Sequence, residues 1–106
     1  MSRLYFLKKG NDALNIVQTI AFGRLKKKLF SKQIDALESA VEEIANKPNL
    51  GELKKGDLQG IRVYKFKVTN QAYLLAYTEV KNIITLLLFG SHENFYRDLK
   101  KLVKNL

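Results

Sequence analysis

GDLQGIRVYKFKVTNQAYLLAYTEVKNIITLLLFGSHENFY, residues 56–96, is the stretch that decides the fold of this chain. It contains three runs of strand-forming residues, separated by the short polar breaks Thr69-Asn70 and Lys81-Asn82. Runs rich in Val, Ile, Tyr and Phe that are joined by tight turns predict an antiparallel meander. The third run ends at Gly90, and the only histidine of the protein, His92, follows two residues later. We therefore expect function to lie on this sheet.

The first run, residues 61–68, alternates apolar and basic side chains. Tyr64, Phe66 and Val68 share one predicted face, and Lys65 and Lys67 share the other, because successive side chains of a strand point to opposite sides. The aromatic face should pack on helices. The two lysines should then stand roughly 7 Å apart on the open face. The runs at 71–79 and 83–89 are apolar on both faces, which predicts central strands.

The remaining segments predict helices around that sheet. We expect a strand at 15–22, a short basic helix at 24–29, and a helix at 32–45 with Ser31 as N-cap. An amphipathic helix is predicted from Asn94 onward. The fold class is α+β: a small antiparallel sheet backed by an N-terminal helical hairpin, with a C-terminal helix. Residues 15–106 form one predicted domain. Residues 1–14 are an N-terminal extension that either contains a short strand at Leu4–Leu7, before a turn at Gly10–Asp12, or packs weakly.

Charge is the informative feature of the composition. Nineteen Lys and Arg against ten Asp and Glu give a net charge of +9, although 46% of the residues are hydrophobic. A domain this basic is expected to bind a polyanion or an acidic protein, with plain solubility as the alternative. Few of these cations are arginine, so diffuse attraction of phosphate is favoured over base reading. The absence of cysteine, export signal and membrane-length apolar run leads us to expect a cytoplasmic protein without membrane contact.

Four stretches in this order resemble the RelE/ParE superfamily of toxins from bacterial toxin–antitoxin pairs. They are Pro48-Asn49-Leu50-Gly51, Lys55-Gly56-Asp57-Leu58, Tyr64-Lys65-Phe66-Lys67, and Gly90-Ser91-His92-Glu93-Asn94-Phe95-Tyr96. The resemblance runs from about residue 15 to residue 101. It implies a basic surface that a cognate acidic antitoxin covers. The superfamily contains both ribosome-dependent mRNA endonucleases and DNA gyrase poisons, so membership alone does not fix the activity.

The nuclease interpretation assigns a role to each candidate residue. Metal-free RNA cleavage needs a proton acceptor for the 2′-OH, cations for the phosphate, and a proton donor for the leaving oxygen. His92 is the natural acid or base, and Tyr96 resembles an aromatic that stacks on a base or donates a proton. Lys65 and Lys67 resemble the strand lysines that face phosphate in the nucleases. Further candidates for phosphate or RNA binding are Arg62, Lys54, Lys55 and Arg97. No cofactor or metal is expected, because one histidine and scattered carboxylates offer no ligand cluster.

Each of these residues also has a purely structural interpretation. His92 could cap an element, Tyr96 could belong to the core, and Lys65 and Lys67 could only keep an exposed sheet face soluble. One departure from the nucleases is specific: Leu74 stands where they often carry an arginine that holds the scissile phosphate. Despite this departure, the single histidine and the paired lysines favour an mRNA endoribonuclease toxin that acts at the ribosome. A gyrase poison, or a relic that is no longer toxic and only binds its antitoxin, remains open.

Overall fold

The computed structural model describes residues 3–9 and 12–105, and within them six strands form one sheet with three helices packed against it. The strands follow the order β1-β2-β6-β5-β4-β3 across the sheet. Neighbouring strands are antiparallel except β2 and β6, which are parallel. The predicted α+β class is confirmed, with this one parallel pair added. The elements are β1 (Arg3–Lys9), β2 (Asp12–Gln18), α1 (Ile20–Lys26), α2 (Ser31–Asn46), β3 (Glu52–Leu53), a 3₁₀ turn (Gly56–Leu58), β4 (Arg62–Val68), β5 (Gln71–Val80), β6 (Ile83–Ser91) and α3 (His92–Lys104).

The predicted meander is β4, β5 and β6, and its two polar breaks are tight turns. Lys81 and Asn82 both have positive φ values, 50° and 67°. That conformation is the one in which a two-residue turn follows the twist of the flanking strands. The turn between β4 and β5 also contains a residue with positive φ, Thr69 at 57°. The sequence thus places both chain reversals at the correct residues.

The sheet is covered on both faces at its centre. One cluster of buried residues lies between the sheet and α1 and α2, and it includes Phe22, Leu37, Leu75 and Tyr77. A second cluster lies between the opposite face and α3. Each buried apolar side chain contributes about 1.5–3 kcal/mol of transfer free energy, so both layers are needed to stabilise strands that are apolar on both sides. The prediction that β5 and β6 are central is confirmed. The second cluster contains Leu58, Ile61, Val63, Leu74, Ala76, Leu87, Leu88, Phe95 and Leu99.

The strand predicted at 15–22 is wrong in its second half. β2 ends at Gln18 and α1 begins at Ile20, because the buried Thr19 caps the helix. Its hydroxyl accepts a hydrogen bond from the Phe22 amide at 3.0 Å and donates one to the Leu87 carbonyl at 2.7 Å. The basic helix predicted at 24–29 is wrong for the same reason: Gly23 lies inside α1 rather than before it.

Two helix starts also differ from the prediction. Ser31 is the first residue of α2 rather than its cap. Phe30 holds the cap position, and its amide donates to Oε1 of Gln33 at 2.8 Å. The third helix begins at His92, not Asn94, so His92 belongs to α3 and not to a strand end.

The strand interpretation of Leu4–Leu7 agrees with β1, and the predicted domain boundary after residue 14 falls inside β2. Gly10 and Asn11 lie outside the described residues.

A buried tyrosine fixes the loop between α2 and β3. The Tyr77 hydroxyl donates to the Pro48 carbonyl at 2.7 Å and accepts from the Gly51 amide at 2.8 Å. Arg62 adds donors to the carbonyls of Gly51 at 2.9 Å and Asn49 at 3.3 Å. A Cβ on residue 51 would lie 2.9 Å from the Tyr77 ring and 3.1 Å from the backbone of Val63. The conformation of the Pro48–Gly51 loop is therefore held by the Tyr77 hydroxyl and the Arg62 guanidinium, and it requires a residue without a side chain at position 51.

We expect Tyr77→Phe to lower the free energy of unfolding by about 1–3 kcal/mol, because the Gly51 amide and the Pro48 carbonyl each lose a partner. The measurement is the urea midpoint at constant m-value. Tyr73→Phe is the matched control, since the Tyr73 hydroxyl is partly buried and accepts only a 3.3 Å hydrogen bond from Gln33. Equal losses in the two variants would contradict the proposed role of the Tyr77 hydroxyl.

Candidate active site

A cleft of about 450 Å³ opens between the N-terminal turn of α3 and the edge formed by β3 and β4. It brings together His92, Tyr96 and Lys65, three of the four residues predicted to be catalytic. The fourth, Lys67, lies two residues beyond Lys65 on the same face of β4 and is exposed. The predicted juxtaposition of an imidazole and a lysine on one sheet face is therefore present. The cleft is lined by Leu50, Glu52, Val63, Tyr64, Lys65, Leu74, His92 and Tyr96.

The sheet register explains how Lys65 reaches the cleft. Lys65 pairs with Leu74 of β5, and Leu74 pairs with Gly90 of β6. Directly opposed residues share a face, so the three form one row beneath the start of α3. Leu74 is 4% exposed and makes an apolar floor. A Cβ on Gly90 would meet nothing within 4 Å, so this end of the row is open space.

His92 and Tyr96 stand one helical turn apart on α3. Residues four apart lie on the same side of a helix, and here their ring centroids are 6.1 Å apart at an interplanar angle of 78°. His92 is exposed, whereas Tyr96 is half-buried. The Tyr96 ring also meets the edge of Phe95, whose side chain is anchored in the core. Core packing thus fixes the phenol while one side of it lines the cleft.

A carboxylate and an ammonium group flank the same phenol. The Nζ of Lys54 lies 2.5 Å from an Oε of Glu52 and 5.3 Å from the centroid of the Tyr96 ring. The hydrogen bond from Lys54 lowers the pKa of the Glu52 carboxyl below its ordinary value. The pKa of Lys54 is raised, most by its hydrogen bond to Glu52 and next by its hydrogen bond to Tyr96. The cleft therefore holds a negative group, ionised at neutral pH, beside its positive ones.

The other predicted phosphate ligands lie outside the cleft lining. Arg62 is on the opposite face of β4 from Lys65, where its guanidinium holds the loop before β3. Lys55 is exposed on the loop after β3. Arg97 is exposed on α3, and its Nε lies 3.5 Å from Oδ1 of Asp98. The structure gives Arg62 a structural contact and leaves the phosphate-binding role of these three residues a prediction.

Glu52 is the polar group of the cleft that sequence reasoning missed. It follows the Pro48–Gly51 motif directly, yet nothing in the sequence shows that residues 52 and 53 pair with β4 at Val63 and Arg62. A two-residue strand is too short to give a periodic signal. The motif that precedes it was the one signal available.

Among residues 3–9 and 12–105, no helix is long and apolar enough to cross a membrane. The same part of the chain contains no group of three His, Asp or Glu side chains that could hold a metal ion.

Three solved structures of bacterial toxins share this fold. The isolated E. coli RelE toxin is 18% identical with a TM-score of 0.60, and the match covers 86% of this chain and 97% of RelE. The intact E. coli RelBE toxin–antitoxin complex gives 16% identity, a TM-score of 0.61 and coverages of 74% and 95%. The YoeB/ParE toxin from Agrobacterium tumefaciens is 14% identical with a TM-score of 0.54, and the match covers 73% of this chain and 96% of that toxin. At these identities the likeness establishes the fold. A comparison with curated protein sequences gives no match.

The sequence itself matches a family model. Residues 16–100 match the ParE-like toxin of type II bacterial toxin–antitoxin systems, which is most of the chain. The chain belongs to this toxin family, and the resemblance to the RelE/ParE superfamily is confirmed.

The contact between Lys54 and Glu52 predicts a measurable acid titration. We expect Glu52 to titrate below 4.5, and Lys54→Met to return its pKa toward that value, because the lowering comes first from the Lys54 hydrogen bond. The carboxylate's contribution to stability is then present above its unfolded pKa and lost as the pH falls through the lower folded value. Side-chain carboxyl NMR across the acid range measures it. Lys55→Met is the control, and an unchanged Glu52 titration in Lys54→Met would refute the contact.

Proposed function

We propose that this chain is a toxin that cleaves mRNA at the ribosome and so inhibits translation. The observation that carries the proposal is the cleft itself, in which an imidazole, a phenol, a carboxylate and a lysine meet at the end of β6. These are the groups that cleavage through the 2′-OH requires: a proton acceptor, a proton donor and a cation for the phosphate. RelE-like folds also carry non-nucleolytic toxins, so the fold adds nothing to this choice.

The geometry supports a division of roles between Glu52 and His92. The Glu52 carboxylate, kept ionised by Lys54, takes the proton of the 2′-OH as that oxygen forms its bond to phosphorus. The bond from phosphorus to the 5′-oxygen breaks, and His92 gives that oxygen a proton. The products are a 2′,3′-cyclic phosphate and a 5′-hydroxyl end. His92 is exposed, and it supplies an imidazole, the side-chain type that most readily exchanges a proton near neutral pH.

Lys65 and Tyr96 hold the substrate in this scheme. The Lys65 ammonium stands above the apolar floor of Leu74 and neutralises the charge that develops on the phosphate. Exposed Lys67 extends the positive surface along β4 for the neighbouring phosphate. The Tyr96 ring offers a face for a base, and stacking of this kind contributes about 1–3 kcal/mol per base.

The partner we propose is an acidic antitoxin. The structural neighbour RelBE is a toxin–antitoxin complex, and a net charge of +9 on this chain favours a partner of opposite charge. Such a segment would add a helix or a strand to the basic surface and screen its charge. Both partners would act in the cytoplasm, where the ribosome is.

A gyrase poison is the second candidate, and Leu74 favours it. The residue that lies opposite Lys65 on the cleft floor is apolar and 4% exposed. A phosphate in the cleft therefore lacks the arginine that the resemblance leads one to expect there. The matching family model is described as ParE-like, which agrees with this alternative.

We expect His92→Ala to reduce transcript cleavage by about 10²–10⁴-fold, the usual contribution of a general acid or base. Primer extension on transcripts from cells that express wild type or variant measures the cuts. Lys65→Met should also reduce cleavage, whereas Lys101→Met, on the exposed face of α3 outside the cleft lining, should leave it unchanged.

Intact transcripts in cells arrested by the wild-type chain would refute the nuclease. Gyrase-trapped DNA breaks in those cells, with toxicity that survives the loss of His92 and both β4 lysines, would establish the second candidate. Expression without any growth defect would point to a chain that has lost toxicity and only binds its antitoxin.

A further inference from the structure

Lys54 joins the two walls of the cleft. Its ammonium group contacts Glu52 on the β3 side at 2.5 Å and lies 5.3 Å from the centre of the Tyr96 ring on α3. A cation over an aromatic face is attracted by the ring quadrupole. Glu52 belongs to β3 and Tyr96 to α3, and both line the cleft, so the Lys54 side chain links two of its lining residues across two elements.

The backbone around Lys54 is held as well. Its amide donates to the Ile61 carbonyl at 2.8 Å, which extends the pairing of β3 with β4 by one bond. The 3₁₀ turn that follows packs on α3 through the buried Leu58. The Lys54 side chain is only 25% exposed, whereas its neighbour Lys55 is exposed. The Lys54 side chain is therefore oriented by its contacts, whereas the Lys55 side chain is open to solvent.

We propose that Lys54 is a positioning residue that sets the carboxylate of Glu52 and the ring of Tyr96 relative to each other. The effect on rate that this role predicts rests on the proposed RNA cleavage, whereas the effect on the position of the Tyr96 ring does not. A phosphate ligand would have to leave both contacts to reach a substrate. Contact with phosphate therefore belongs to Lys65, and Lys54 acts through Glu52 and Tyr96.

The consequence for catalysis is a change in rate and not in binding. Misplacing a catalytic group by about 1 Å costs up to about a hundredfold in rate. We expect Lys54→Met to lower kcat between about tenfold and a hundredfold with little change in KM. Lys54→Arg should recover most of the rate, because the guanidinium also pairs with a carboxylate and stacks on a ring. Lys65→Met should lower kcat and raise KM together, because its ammonium holds the phosphate before and during cleavage. Lys101→Met, on the exposed face of α3 outside the cleft lining, should change neither quantity.

The geometric part is tested on the purified chain without RNA. Tyr96 is labelled with ¹³C in the ring, and its signal is assigned by its loss in Tyr96→Phe. We expect the Tyr96 ring signals to shift in Lys54→Met and in Glu52→Gln, to stay in place in Lys55→Met, and to return toward wild type in Lys54→Arg. Far-UV circular dichroism and the urea midpoint check that each variant is folded.

The outcomes separate the two proposals. Unmoved Tyr96 signals in a folded Lys54→Met would overturn the positioning role. A kinetic defect confined to KM would also overturn it, since that result identifies Lys54 as a substrate ligand. Shifted Tyr96 signals in a chain that cuts no RNA would support the positioning role and overturn the proposed ribonuclease.

Discussion

The hydroxyl of Tyr77 is the contact on which the arrangement of the cleft depends. It is buried in the middle of the sheet, yet it satisfies two backbone groups of the loop that leads from α2 into β3. A buried phenol needs such partners, and the loop needs a polar group there, so each supplies what the other lacks. Gly51 permits the approach because a side chain would overlap the Tyr77 ring. Through this contact a core residue determines where Glu52 and Lys54 stand.

The cleft is assembled from elements that are far apart in sequence. Lys65 comes from the middle of β4, the first strand of the meander. His92 and Tyr96 come from successive turns at the start of α3, and Glu52 comes from a strand of two residues. The row of Lys65, Leu74 and Gly90 lies in the sheet and forms the floor of the cleft, and the buried Phe95 anchors the α3 side. A site on such supports holds its geometry better than one on loops alone.

Family membership and activity rest on different parts of this molecule. The two apolar layers and the sheet order define the toxin fold, and TM-scores of 0.54–0.61 at 14–18% identity show that the fold is kept with little sequence identity. The activity that we propose depends on a few side chains over the floor of the cleft. There the chain keeps a lysine, a histidine and a tyrosine but has Leu74 at the position opposite Lys65. Electrostatics at that floor separates a phosphate-cutting site from a surface that only binds.

Much of the architecture could be predicted because it follows from local patterns. Alternation in 61–68 placed Lys65 and Lys67 on one face, and apolar runs on both faces identified β5 and β6 as central strands. Element boundaries failed where a tertiary contact overrode the local pattern. Thr19 converts a β-branched run into the start of α1 because its hydroxyl finds both the Phe22 amide and the Leu87 carbonyl. The third helix begins two residues earlier than predicted, with Ser91 at the cap position, although the Ser91 side chain makes no capping hydrogen bond.

The sequence by itself determined the meander, the two amphipathic helices and the residue types needed for phosphate chemistry, since these depend on periodicity and composition. Only the tertiary structure decided which charged residues meet. Arg62 faces the loop and not the cleft, and Glu52 joins His92 and Lys65 there. The physical reason is that strand pairing and burial of Tyr77 act between residues distant in the chain, where no local pattern records them.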